Sequence, residues 1–73
     1  MNRLAERLTK LRQGNGLTQK EVADFLEMVV AAYQKYEYGT REPKVNSLIA
    51  LAGFYGVSID FLVGIDDVPN RKK

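Results

Sequence analysis

The side chains of this sequence best suited to chemistry are amides, phenols and cations gathered between Gln19 and Lys44. Gln34, Lys35 and Tyr38 fall within about one helical turn, and Gln19, Lys20, Arg41 and Lys44 bracket them. Such groups hydrogen-bond and attract anions; they do not by themselves break bonds. The chain has no cysteine and no histidine, which removes thiolate chemistry, the commonest general base and the commonest metal ligand. No nucleophile–base pair, metal-spaced cluster or phosphate loop stands in their place. Binding without a metal or cofactor is therefore the expected chemistry, and an enzyme is not expected.

Tyr33, Tyr36 and Tyr38 resemble an aromatic cluster that could stack on bases. At helical spacing, Tyr33 and Tyr36 read instead as core, with their hydroxyls reaching the surface. Tyr38 and Lys35 face outward on the same segment. Arg3, Arg7 and Lys10, with Glu6 between them, read as an ordinary solvated face. Arg71, Lys72 and Lys73 read as a polar end.

Elements must hold these groups in place, and the punctuation divides the chain into five short helices. Asn2 is a plausible cap for a first helix with Leu4, Leu8 and Leu11 on one face, ended by Gly14-Asn15-Gly16. Thr18 followed by Glu21 is a capping-box signature for a second, with Val22, Ala23 and Leu26 inward. After a break at residues 27–29, a third helix runs from Val30 to Tyr38, stopped by Gly39. Pro43 turns Glu42 away from helix. A fourth helix, Val45 to Tyr55, is expected to bury Leu48, Ile49, Leu51 and Ala52. Ser58 opens a fifth, Ile59 to Val63, closed by Gly64. The expected class is all-α, a compact five-helix bundle. Residues 1–65 form its one domain and 66–73 a frayed polar tail.

Composition bounds the rest. A chain of 73 residues buries only about 60% of its unfolded surface, so good packing or dimerisation is needed. The net charge of +2 is compatible with a nucleic-acid partner without announcing one. No apolar run approaches the roughly 20 residues of a membrane span. MNRLAERLTKLRQ is too charged for a signal peptide, and a cytoplasmic location without membrane contact is expected.

Two short helices joined by a tight turn form a helix-turn-helix. The segments LRQGNGLTQKEVADFL, YQKYEYGTREP and LIALAGFYGVSIDFLVG together resemble the Cro and phage-repressor family of the xenobiotic-response-element type, across residues 3–64. The resemblance implies a lambda-repressor-like fold whose third helix enters the DNA major groove while the second crosses the backbone. It implies phosphate contacts from Gln19, Lys20, Arg41 and Lys44, and a structural ion pair between Arg12 and Glu37. It also implies homodimerisation through Tyr55, Val57, Phe61, Leu62 and Ile65, some of which must also serve the core, and repression at a palindromic operator.

Helix three departs from that family. Where relatives place polar residues, this chain has Val29, Val30, Ala31 and Ala32, which leaves apolar contact with thymine methyls. Base edges fall to Gln34, Lys35 and Tyr38, where glutamine suits adenine and lysine suits guanine. Part of the recognition is expected to come from DNA shape. Glu27 replaces the usual turn glycine, at a cost on the order of 1 kcal/mol if left-handed. Lys44 replaces a serine cap, so that the fourth helix starts late with Asn46 as a substitute. The alternative function is a helix-turn-helix scaffold for a protein partner, docking on the apolar start of helix three. The chain could also be a fragment of a longer regulator.

Overall fold

The computed structural model describes residues 3–69. Asn2 and the basic residues Arg71, Lys72 and Lys73 lie outside them. Five helices follow in order: α1 Leu4–Gly14, α2 Gln19–Phe25, α3 Val30–Tyr38, α4 Val45–Tyr55 and α5 Ile59–Val63. No strand occurs among the described residues, and the all-α five-helix expectation holds.

The caps explain the starts. Thr18 Oγ1 accepts from the Glu21 amide at 3.0 Å while Glu21 Oε1 accepts from the Thr18 amide at 2.8 Å, so two free donors of α2 are satisfied reciprocally. Ser58 caps α5 through the Phe61 amide. α1, α3 and α4 have no side-chain cap. α4 keeps the Val45–Tyr55 bounds that its spacing predicts, beginning directly after Lys44; the later start with Asn46 as a substitute cap does not occur.

Every helix contributes to one core. Leu4 and Leu8 of α1, Val22 and Ala23 of α2, Tyr33 and Tyr36 of α3, Leu51 and Ala52 of α4, and Leu62 of α5 are buried together. Each fully buried aliphatic side chain is worth about 1.5–3 kcal/mol, so the small core is sufficient only because all five helices share it. Ala23 is where bulk would separate α2 from its neighbours. Ile49 does not join this core: it is 54% exposed, because the inward side of α4 is already filled by Leu48, Leu51, Ala52 and Tyr55. Phe54 stacks instead on Phe25, with ring centroids 4.4 Å apart, leaving both partly exposed.

The turn between α2 and α3 keeps its left-handed residue, with Glu27 at φ 59°. That conformation pushes a Cβ against the following carbonyl and costs about 1–2 kcal/mol in an L-residue.

Arg7 was expected on a solvated face, and the structure corrects this. Its side chain is only 12% exposed. The guanidinium donates to the carbonyls of Phe61 at 2.6 Å and Asp66 at 2.7 Å, pairs with Asp67 at 3.0 Å, and lies 4.0 Å from the centroid of the Phe61 ring. The Ser58 amide donates to the Pro69 carbonyl at 2.8 Å. Residues 66–69 are thus strapped back across α5, and the expected fraying does not extend to them. Gly64 makes the approach of α1 practicable: at φ +88° it lies so near Arg3 that a Cβ would come within 3.0 Å of the arginine Cβ and Cγ.

Candidate nucleic-acid interface

The helix-turn-helix unit is built around one buried carboxylate. Glu37 of α3 has a side chain only 2% exposed, yet five donors meet it. Arg12 of α1 gives Nε to Oε2 at 2.7 Å and Nη2 to Oε1 at 3.1 Å. The Tyr33 hydroxyl donates to Oε2, Thr9 Oγ1 to Oε1 at 3.3 Å, and Gln19 Nε2 to Oε1 at 3.1 Å. One residue therefore ties α1, α2 and α3 together. Burial pushes the Glu37 carboxyl up, but the hydrogen bonds from Arg12, Tyr33 and Gln19 outweigh it and hold it below the usual carboxylate value. The hydrogen bond to Glu37 raises Arg12 in turn. Burial, then the bond to Glu37, pushes the Tyr33 phenol far above its ordinary value. This corrects one expectation: the Tyr33 hydroxyl faces the core carboxylate, not the surface.

Nearby, the Tyr55 hydroxyl is buried without a partner in hydrogen-bonding geometry among the described residues. Burial and the charge of Glu37 push its pKa up to about 12.

The outward surface follows from this frame. Val29, Val30, Ala31, Lys35 and Tyr38 are exposed along α3 and its start. Gln34 is half-buried, and its Nε2 donates to Gln19 Oε1 at 2.9 Å. The expected reader Gln34 and the expected phosphate contact Gln19 are therefore joined. Lys20 pairs with Asp24 one turn on at 2.9 Å; such an exposed pair is worth about 0.3–0.5 kcal/mol and yields readily to a stronger anion. Arg41 and Lys44 are exposed on the loop after α3 and form no ion pair among the described residues. A cleft of about 430 Å³ lies beside the turn, lined by Lys20, Asp24, Glu27, Met28, Val29 and Val30.

The five residues expected at a dimer face separate. Leu62 has no exposed surface; it is a core residue, because α5 is so short that its one inward position must be filled by it. Tyr55 and Val57 are half-buried against the core, and Phe61 lies under Arg7. Ile65 is freely exposed, as is Ile59 in part. Neither Ile59 nor the role of Arg7 was visible from spacing alone.

An α2–turn–α3 unit with a buried ion pair behind it and a cationic, amide-bearing surface in front is the arrangement of a helix-turn-helix regulator. The helix-turn-helix family matches residues 8–62, and the chain belongs to that family, in its Cro and phage-repressor branch. It is similar to the SPbeta prophage-derived HTH-type transcriptional regulator YonR of Bacillus subtilis, 45% identical over 58 residues, covering 80% of this chain and 54% of that protein. The HTH-type transcriptional regulator ImmR of the same organism is 37% identical over 96% of this chain and 55% of its own length. The chain thus spans about half the length of these relatives. A crystal structure of a transcriptional regulator from Listeria innocua superposes with a TM-score of 0.83 at 32% identity, covering 86% of this chain and 59% of that one. Among the described residues no helix is long and apolar enough to cross a membrane.

Proposed function

We propose that two copies of this chain bind a palindromic DNA operator, with α3 of each in the major groove, and repress transcription by occluding the promoter. The observation that carries this reading is the Arg12–Glu37–Gln19 network, which holds α2 and α3 rigidly while leaving Lys35, Tyr38 and the apolar start of α3 exposed. Rigid presentation lowers the cost of ordering a reading surface on binding. Val29, Val30 and Ala31 meet thymine methyls, and Gln34, Lys35 and Tyr38 meet base edges. Gln19, Lys20, Arg41 and Lys44 meet phosphates, which adds affinity without sequence information. One relative, RstR of the cryptic phage CTXphi in Vibrio cholerae, 34% identical over 62 residues, is named a transcriptional repressor.

A two-fold pairing places two such helices about 34 Å apart, one turn of B-DNA. The neighbourhood of α5 suits that pairing, since Ile59 at its start and Ile65 just beyond its end are exposed. The test is selection of bound duplexes from a random pool, followed by affinity against salt. A palindromic consensus whose log K falls with log salt as about 6–10 phosphate contacts require supports the reading. Absence of any enriched sequence overturns it and turns attention to a protein partner at the Val29–Val30 cleft.

A further inference from the structure

The Gln19–Gln34 hydrogen bond has a direction, and that direction originates in the core. An isolated glutamine side chain can exchange its amide oxygen and nitrogen by rotation, so it offers a base edge either a donor or an acceptor at a given point. Gln34 does not have that freedom. Its Nε2 donates to Gln19 Oε1 at 2.9 Å, and Gln19 Nε2 donates to Glu37 Oε1 at 3.1 Å. Glu37, ionised beside Arg12, can only accept. Turning Gln34 over would set oxygen against oxygen at Gln19. Turning Gln19 over as well would set its oxygen against the buried carboxylate. Each reversal leaves an unmatched acceptor facing another, the costly arrangement for groups removed from water.

We propose that Glu37, acting through Gln19, fixes the Gln34 amide so that Gln34 reads adenine and rejects guanine. This rests on the DNA-binding reading above. With one N–H committed to Gln19, Gln34 presents its oxygen and its second N–H to the groove. Adenine offers N6–H as donor and N7 as acceptor, which matches both; guanine offers two acceptors, O6 and N7, which opposes the amide oxygen. Gln19 and Glu37 are positioning residues in this scheme. The apolar Val30 and Ala31 on the preceding turn provide no competing polar partner that could release the amide.

The experiment uses the 73-residue chain and the duplex that it selects from a random pool. Affinities are measured for all four base pairs at each consensus position, for the wild type, Gln34→Ala and Gln19→Met, with melting curves confirming that each variant is folded. Gln34→Ala is expected to erase an adenine preference at one position per half-site. Gln19→Met is expected to lower the adenine-to-guanine ratio at that same position on the order of tenfold, leaving the ratios elsewhere unchanged. Equal weakening of all four duplexes by Gln19→Met, or no position altered by Gln34→Ala, would each overturn the proposal while leaving sequence-specific binding intact. Failure of the wild type to select any duplex would instead remove the DNA-binding reading, and this proposal with it.

Discussion

Arg12 grips the Glu37 carboxylate with two parallel N–H groups, Nε at 2.7 Å and Nη2 at 3.1 Å, across the junction of α1 and α3. Removing one partner leaves a buried charge alone. Glu37→Ala or Arg12→Ala is expected to cost about 3–5 kcal/mol, enough to leave a domain of this size mostly unfolded. The double change Arg12→Met with Glu37→Leu should cost much less, because no charge is stranded. Denaturant titration of the three variants checks the order.

The same carboxylate sets the acid limit of stability. Glu37 titrates lower in the folded state than in the unfolded chain, so its stabilisation is complete above the unfolded value of about 4.3. It is lost as pH falls through the depressed native value. The melting temperature should decline over that window, and the Arg12→Met, Glu37→Leu variant should show a shallower decline.

At the alkaline limit the sign reverses. Tyr55 is pushed up to about 12, so between the unfolded phenol value of about 10 and that point the unfolded state releases a proton that the folded state keeps. Stability should fall with rising pH there. Tyr55→Phe removes its own share of this dependence, leaving that of the raised Tyr33 phenol, and also removes an unpartnered hydroxyl, so it should raise stability at neutral pH by about 1 kcal/mol.

Glu27 at φ 59° predicts a simple gain. Glu27→Gly relieves about 1–2 kcal/mol of left-handed strain and returns roughly 0.5–1 kcal/mol as chain entropy. A net gain of about 0.5–1 kcal/mol should appear as a melting temperature a few degrees higher. A decrease would show that the Glu27 side chain itself supports the turn.

Lys35 and Lys44 should separate reading from attraction. Lys35→Ala is expected to change the selected sequence as well as the affinity, while Lys44→Ala weakens all duplexes alike and reduces the salt slope by about one phosphate. Quantitative binding on the selected and shuffled duplexes distinguishes the two.

The helices and their limits were legible because caps, glycines and apolar spacing agree: Thr18 with Glu21, Ser58, Gly39 and Gly64 mark their boundaries in plain letters. The Arg12–Glu37 pair was reached only through family resemblance, since the two lie on different helices 25 residues apart. The exposure of Ile49 and the choice of Leu62 as the core residue of α5 are not legible, because α4 is apolar on most sides and α5 is too short to show a face. Arg7 was hidden because its partners are mostly backbone carbonyls, which exist at every residue and leave no trace in side-chain patterns. The Gln19–Gln34 bond was equally invisible, being a matter of packing at an edge where either amide could have faced water.

The Arg7 clamp bears on how the molecule is made. Its partners lie 54 to 60 residues further along the chain, among the most distant pairings the fold contains. Contacts of such separation close large loops and form late. α1 therefore waits for Asp66 and Asp67 to be synthesised before it is fully seated. Resistance to protease should appear in the nascent chain only after those residues have cleared the exit tunnel.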